Sequence, residues 1–245
     1  MHRLLALFPL LLACSDTPGP LRVFVGAGMK APLDQLVADR PATEPPVAVT
    51  YGGSGVLLSQ VALSGLGDVY VPGSQADLEV AVRQGLVESS AVVAWHEPVI
   101  VVPVARERAL HDLADLGAPG LRVGLCDPRA CAIGHVAERM LEAAGLDPEL
   151  GGNVVVRTTN VQELVLAVSM EQLDAAIAWR TAAAPATGLR IVDLPDEQAM
   201  REAIPAAVLR STHDAAEARA FVAWLRSDQG QAAFTAHGFL PADVP

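Results

Sequence analysis

The sequence predicts an α/β fold built as two similar lobes, and three observations carry that prediction. From residue 21 onward short apolar runs alternate with longer amphipathic ones, the pattern of strands and helices taken in turn. The alternation occurs in two stretches. Between them, residues 91–104 form a long and nearly uncharged run, too long for one isolated strand and read as a strand passing from one sheet into another. The length of 245 residues is enough for one large unit or two small ones with a substantial core.

Each element follows from its local pattern. Residues 21–25 are the first strand, and a glycine-containing turn leads into a helix over 32–39 with Leu33, Leu36 and Val37 on one face and Pro32 in its first turn. Residues 47–51 give the next strand, and 54–63 a helix for which Ser54 is a candidate N-cap. Gly67-Asp68 leads into a strand at 69–71, followed by a helix at 75–83. The second stretch repeats the order with a strand at 121–125, a helix at 133–144, a strand at 154–156, a helix at 161–170 and a strand at 175–179. Residues 191–194 and 204–209 are further strands, residues 215–226 and 228–236 are helices, and 237–239 begin a tail. The two stretches are read as alike in architecture, without a repeat in sequence.

Composition narrows the function. An apolar fraction of 51% with 18% charged residues describes a compact globular chain. The formal charge of −11 has the wrong sign for counterion-driven binding to nucleic acid. Aromatic residues make up 4%, which argues against stacking platforms for bases or sugars and favours a small, non-aromatic ligand. The six histidines are scattered and no zinc-ligand spacing occurs. No Walker A loop or nucleophile elbow is present, and Gly26-x-Gly28 continues to Ala31 where a dinucleotide loop has its third glycine. The chain therefore reads as a binder without enzymatic activity and without a cofactor.

The start, Met1-His2-Arg3 followed by an apolar run to Ala13, has the proportions of a secretory signal and is too short to span a bilayer. Its end, Leu11-Leu12-Ala13-Cys14, resembles a bacterial lipobox, which implies removal of residues 1–13, acylation of Cys14 and a tether over 14–20. In the oxidising compartment outside the inner membrane, Cys126 and Cys131 can pair across a turn.

Two turns have the chemistry of an anion site. The first strand runs into Gly26-Ala27-Gly28-Met29-Lys30, and the second into Tyr51-Gly52-Gly53-Ser54-Gly55, so each opens a helix whose first N–H groups have no partner within it. Gly28 allows close backbone approach, Lys30 is the only lysine of the chain, and Ser54 offers both a hydroxyl and an N–H. In an open α/β sheet such turns meet beyond the carboxyl ends of the strands.

Together, the turn at residues 23–29, the Tyr51 to Gly55 turn, Gly67-Asp68-Val69-Tyr70-Val71, Cys126-Asp127-Pro128 with Gly134 beyond it, Asn160-Val161, and Ala176-Ile177-Ala178-Trp179 resemble the periplasmic molybdate- and tungstate-binding proteins of ABC transporters, over residues 21–240. The resemblance implies a type II periplasmic binding protein: two α/β lobes, each a mixed or parallel sheet flanked by helices, joined by a two-strand hinge and closing on a tetrahedral oxyanion held by neutral donors. It places residues 21–95 and 200–245 in lobe I and 96–199 in lobe II. Gly28 falls where the family has a ligand-binding Ser, Ser54 on its second ligand Ser, Ile133 and Val161 on backbone donors of lobe II, and Trp179 on a Tyr whose hydroxyl reaches the anion. Gly28 and Trp179 are thus departures, with Lys30 and Gly55 as neighbouring candidates.

The turns at residues 26–30, 52–55 and 160–161 carry no Asp or Glu, which favours a fully deprotonated oxyanion over protonated phosphate. The expected partners are molybdate or tungstate, a membrane permease, and the membrane itself through Cys14, with the chain a monomer in the periplasm. The alternatives are a sulfate-like or small organic anion on the same scaffold, and a ligand-sensing protein not coupled to transport.

Overall fold

The computed structural model describes residues 19–105 and 110–244. The signal segment and Cys14 lie outside the described residues, as does the tether apart from Gly19 and Pro20.

The first lobe opens with β1 (Leu21–Gly26), a short 3₁₀ turn (Ala27–Met29), α1 (Lys30–Ala38), β2 (Val47–Gly52), α2 (Ser54–Ser64), β3 (Val69–Val71) and α3 (Gln75–Arg83). The strand β4 (Val87–His96) continues past Glu97 into β5 (Pro98–Pro103), which belongs to the other sheet. The second lobe then runs β6 (Val123–Cys126), α4 (Ala132–Ala143), β7 (Val154–Thr158), α5 (Val161–Ser169), β8 (Ala175–Trp179), α6 (Arg180–Ala183) and β9 (Leu189–Val192). The chain returns through β10 (Glu202–Leu209), α7 (Ala215–Leu225), α8 (Asp228–Ala236) and β11 (Leu240–Pro241). One sheet is ordered β11-β4-β10-β3-β1-β2 and the other β7-β6-β8-β5-β9.

In each sheet the parallel strands sit together, β2-β1-β3 in one and β7-β6-β8 in the other, with antiparallel neighbours β10 and β5 beside them. Parallel strands buried on both faces need continuous apolar runs, and β3 and β8 are buried at every position. The cores are separate. Val99 to Leu194 pack into one cluster, while the clusters around Phe221 and around Tyr70 are built only from residues outside that range.

The structure differs from the sequence reading at several places. The helix expected from residue 32 begins at Lys30, behind the 3₁₀ turn. The long run is two strands that break at Glu97, and the first begins at Val87, where Glu88, Ser89 and Ser90 pair with β10 despite their polarity. Neither α6 nor β11 is evident in the sequence pattern.

A sequence repeat also exists, contrary to expectation, in the short pieces Leu21-Arg22-Val23 and Leu121-Arg122-Val123. The Arg22 N–H donates to Asp68 Oδ2 at 2.7 Å while the Asp68 N–H donates to the Arg22 carbonyl at 3.0 Å. In lobe II the Arg122 N–H donates to Asp174 Oδ2 at 2.8 Å and the Asp174 N–H returns to the Arg122 carbonyl at 2.8 Å. One clasp thus pins the start of the first strand to the start of the third in both lobes. Asp68 is fully buried and also accepts from the Thr212 hydroxyl and the His213 N–H, at 2.8 and 3.0 Å. Burial pushes its carboxyl up, but these hydrogen bonds outweigh it and hold the pKa below the usual carboxylate range. Asp174 instead accepts from the Arg122 guanidinium Nε at 3.2 Å.

Where the chain passes between lobes, Glu97 collects two arginines. Arg180 Nε donates to its Oε2 at 2.6 Å, and an Arg201 guanidinium nitrogen reaches its Oε1 at 3.3 Å. Arg180 opens α6 in lobe II and Arg201 immediately precedes β10, so both crossings between the lobes are tied to one carboxylate.

Candidate functional site

The parallel strands of both sheets deliver their helices at the carboxyl edge, and the two edges face each other. A cavity of about 260 Å³ between them is lined by Gly28, Ala31 and Pro32 from the start of α1 and by Thr181, Ala184 and Pro185 from α6. Such a crevice is the general ligand position of open α/β sheets.

The helix starts at this crevice differ from the others in the molecule. Ser74, Asn160, Asp214 and Ser227 cap α3, α5, α7 and α8 with side-chain oxygens. The 3₁₀ turn before α1 and the starts of α2, α4 and α6 have no side-chain cap and no acidic residue in the first turn. Unsatisfied N–H groups and the positive end of the dipole are thereby left for something else to complement.

Ser54 is the first residue of α2 and its hydroxyl is oriented. The Gly73 N–H donates to Ser54 Oγ at 3.0 Å, which fills an acceptor site and leaves the hydroxyl hydrogen to donate elsewhere. The Tyr70 hydroxyl donates to the Ser54 carbonyl at 2.9 Å and fixes the turn from below. Gly55 follows within the same first turn, exposed. Gly28 is exposed too, and a β-carbon added there meets nothing within 4 Å.

Lys30 does not point an unpaired charge into the crevice. Its ammonium bonds Asp34 one turn along α1 and lies 4.7 Å from the centre of the Tyr51 ring. The Tyr51 hydroxyl also donates to Asp34, at 2.7 Å. Hydrogen bonds from Lys30 and Tyr51 hold the Asp34 carboxyl below its ordinary pKa.

On the lobe II side, Ile133 lies at the start of α4 and Val161 at the start of α5, both with buried side chains. Gly134 lets α4 approach β6, since a β-carbon there would stand 2.6 Å from the Cys126 carbonyl oxygen. Cys126 and Cys131 are free thiols in the structure, so the disulfide expected from sequence is not formed in it. The Cys131 N–H folds back on the Asp127 carbonyl at 3.0 Å, bringing its thiol onto that of Cys126. The Cys131 sulfur also faces the N–H groups of Ile133, Gly134 and Val161. Contact with Cys126 and these N–H groups draw the Cys131 thiol below its ordinary pKa, while the same contact and burial push Cys126 up.

Trp179 ends β8, 7% exposed, and its ring stacks on His96 with centroids 4.9 Å apart. Phe239 of lobe I lies 4.9 Å from the other side of the same imidazole. Burial lowers the His96 pKa to about 4, so the ring between the two lobes is neutral. Sequence reasoning passed over His96, Glu97 and the position of Cys131; a histidine ending a strand beside an acid was the available signal for the first two. Among the described residues no cluster of His, Cys, Asp and Glu is placed to hold a metal ion.

The family profile of bacterial extracellular solute-binding proteins matches residues 21–240. The chain belongs to that family. A Haemophilus influenzae chain described simply as a binding protein is 28% identical over 99% of this chain and 100% of its own length. The molybdate-binding protein ModA of Mycobacterium tuberculosis is 27% identical, over 89% of this chain and 83% of its own. The solved substrate-binding domain assigned to a molybdenum ABC transporter of Clostridium difficile superposes with a TM-score of 0.83 at 16% identity, covering 92% of this chain and 100% of that one. The fold is accordingly that of a two-lobed, type II periplasmic binding protein, and the family is one of solute binders.

Proposed function

We propose that this solute-binding protein is the receptor of an ABC importer and that it captures a fully deprotonated tetrahedral oxyanion, molybdate or tungstate. In this reading it is exported by the segment 1–13 and tethered by a lipid on Cys14. The observation that supports the ligand class most is the set of uncapped, acid-free helix starts at the crevice, beside a Ser54 hydroxyl that Gly73 holds with its hydrogen free. A dianion needs donors only, whereas a singly protonated oxyanion also needs an acceptor. Gly28, Ser54 and Gly55 supply donors from lobe I; Ile133, Val161 and the Trp179 indole supply them from lobe II. Lobe closure exchanges the anion's water for these oriented groups. The net charge of −11 opposes anion approach at long range, so the oriented donors act within the crevice, at distances shorter than the screening length of about 8 Å.

Thermal unfolding in the presence of molybdate, tungstate, sulfate, phosphate and chloride tests the reading. A ligand at a hundred times its Kd adds about 2.7 kcal/mol of stability. The expected result is a raised Tm with molybdate or tungstate that Ser54→Ala reduces. No shift with any oxyanion overturns it. The second reading, a small organic anion, rests on the apolar cavity beside Gly28 and gives a shift with carboxylic or phosphorylated acids alone.

A further inference from the structure

The two thiols of lobe II occupy the place where its donors converge. Cys126 ends β6 and is buried, Cys131 is the residue before α4 and is half-exposed, and the four residues between them turn back so that both N–H groups of Ala130 and Cys131 donate to the Asp127 carbonyl at 3.0 Å. The Cys126 sulfur lies 3.6 Å from Thr158 Oγ1, whose hydroxyl donates to the Asn160 carbonyl at 2.8 Å, one residue before α5. The sulfur pair is therefore wedged between the starts of α4 and α5, with the Ile133 and Val161 N–H groups turned toward Cys131. Those are the lobe II donors that the proposed oxyanion requires.

We propose that Cys126 and Cys131 form a redox-modified pair that sets whether lobe II can receive an oxyanion. With both thiols free, the Cys131 sulfur holds the Ile133 and Val161 N–H groups and places its own negative charge where the ligand's would go. Joined to Cys126, the same sulfur is neutral and drawn toward β6, and the N–H groups turn to the ligand. The oxidant is a small-molecule or protein disulfide of the cell envelope. The Cys131 thiolate attacks one sulfur of that disulfide and displaces the other as a thiolate. Cys126 then loses its proton to water and attacks the Cys131 sulfur, which releases the second thiolate, so that two cysteines are oxidised and one disulfide is reduced. Cys131 is the half-exposed partner and so the one an oxidant reaches first. A chain held reduced before export would thus leave oxyanions alone and acquire them outside.

This inference rests on the oxyanion reading, and the test separates the two. The full chain carrying Cys14→Ser is equilibrated with oxidised glutathione or with a phosphine reductant, desalted, and titrated with molybdate and tungstate by calorimetry; thiol content is counted in parallel. The expected result is loss of both thiols on oxidation and a molybdate or tungstate affinity roughly 10- to 100-fold higher in the oxidised form, the worth of one or two charge-assisted hydrogen bonds. Cys131→Ala is expected to bind as the oxidised form does in either condition, and Cys126→Ser as the reduced form does. Equal affinity before and after oxidation, or thiols that stay free in oxidised glutathione, overturns the inference and leaves the oxyanion reading intact. No binding by any form, Cys131→Ala included, overturns both.

Discussion

The two lobes are built on one plan and furnish their halves of the crevice by different means. Both begin Leu-Arg-Val, both clasp that arginine to an aspartate ahead of the third strand, and both aim uncapped helix starts at the other lobe. Lobe I adds a hydroxyl, Ser54, set by the Gly73 N–H at 3.0 Å. Lobe II presents backbone N–H groups beneath the buried side chains of Ile133 and Val161, and puts a cysteine sulfur against them. Lobe I is thus preset by neutral hydrogen bonds, whereas the donors of lobe II share their ground with a titratable group. Packing separates them as well: Gly28 faces open space, and Gly134 is hemmed in by backbone.

The largest effect comes from that last contrast. Gly134→Ala drives a β-carbon to 2.6 Å from the Cys126 carbonyl, where nothing flexible can yield, and is expected to cost roughly 4 kcal/mol. Gly28→Ala is expected to cost less than about 0.5 kcal/mol. Urea unfolding of the two variants checks the pair, and similar losses would break the comparison.

The seam between the lobes gives the next effect. His96 has its pKa lowered to about 4 by burial, while the unfolded chain takes up that proton near its ordinary value of 6.5. The unfolded state therefore binds more protons between those values, and stability falls as pH drops from 6.5 toward 4, with no further change from this group below that. The loss amounts to about 3 kcal/mol, and His96→Phe should remove it from the difference between unfolding curves at neutral and acid pH. An unchanged pH dependence in that variant would show that the imidazole titrates freely.

The clasps rank third. Asp68→Ala strands the Arg22 N–H, the Thr212 hydroxyl and the His213 N–H in a buried place, whereas Asp174→Ala releases an arginine that is half in water. The first should destabilise by about 2 kcal/mol more than the second in denaturant melts. Equal costs would mean that the two clasps are equivalent after all.

The smallest change sharpens the comparison from the ligand side. Gly28→Ser has room for its side chain and gives lobe I a second hydroxyl. It is expected to tighten oxyanion binding by about 1 kcal/mol, read as a fivefold lower Kd in calorimetry.

Much of this architecture could be read from the chain because period and punctuation agree with it. β8 and α8 fall where their apolar patterns place them, and the break from lobe I to lobe II lies inside the uncharged run that ends near residue 104. The polar start of β4 could not be read, since Glu88 to Ser90 are strand only because β10 lies alongside to pair with them. Of the site, Ser54 was legible from its glycine-flanked turn. The engagement of Lys30 was legible too, as a Lys and an Asp four apart on one helix, but its charge drew attention to the crevice instead. The position of the Cys131 sulfur depends on how five residues turn between β6 and α4 and on where α5 arrives from elsewhere in the chain, and neither is a local property of sequence.

Glu97 bears on how the molecule opens. A single half-buried carboxylate grips Arg180 from one side and Arg201 from the other, at the two places where the chain changes lobes. Two strands meeting at such a knot share one pivot: a twist imposed on either is felt by both, and sideways slip between the lobes would tear the knot while rotation about it need not. The pathway between open and shut is thereby narrowed to a swing about one axis, and the crevice reassembles with the same register each time it closes.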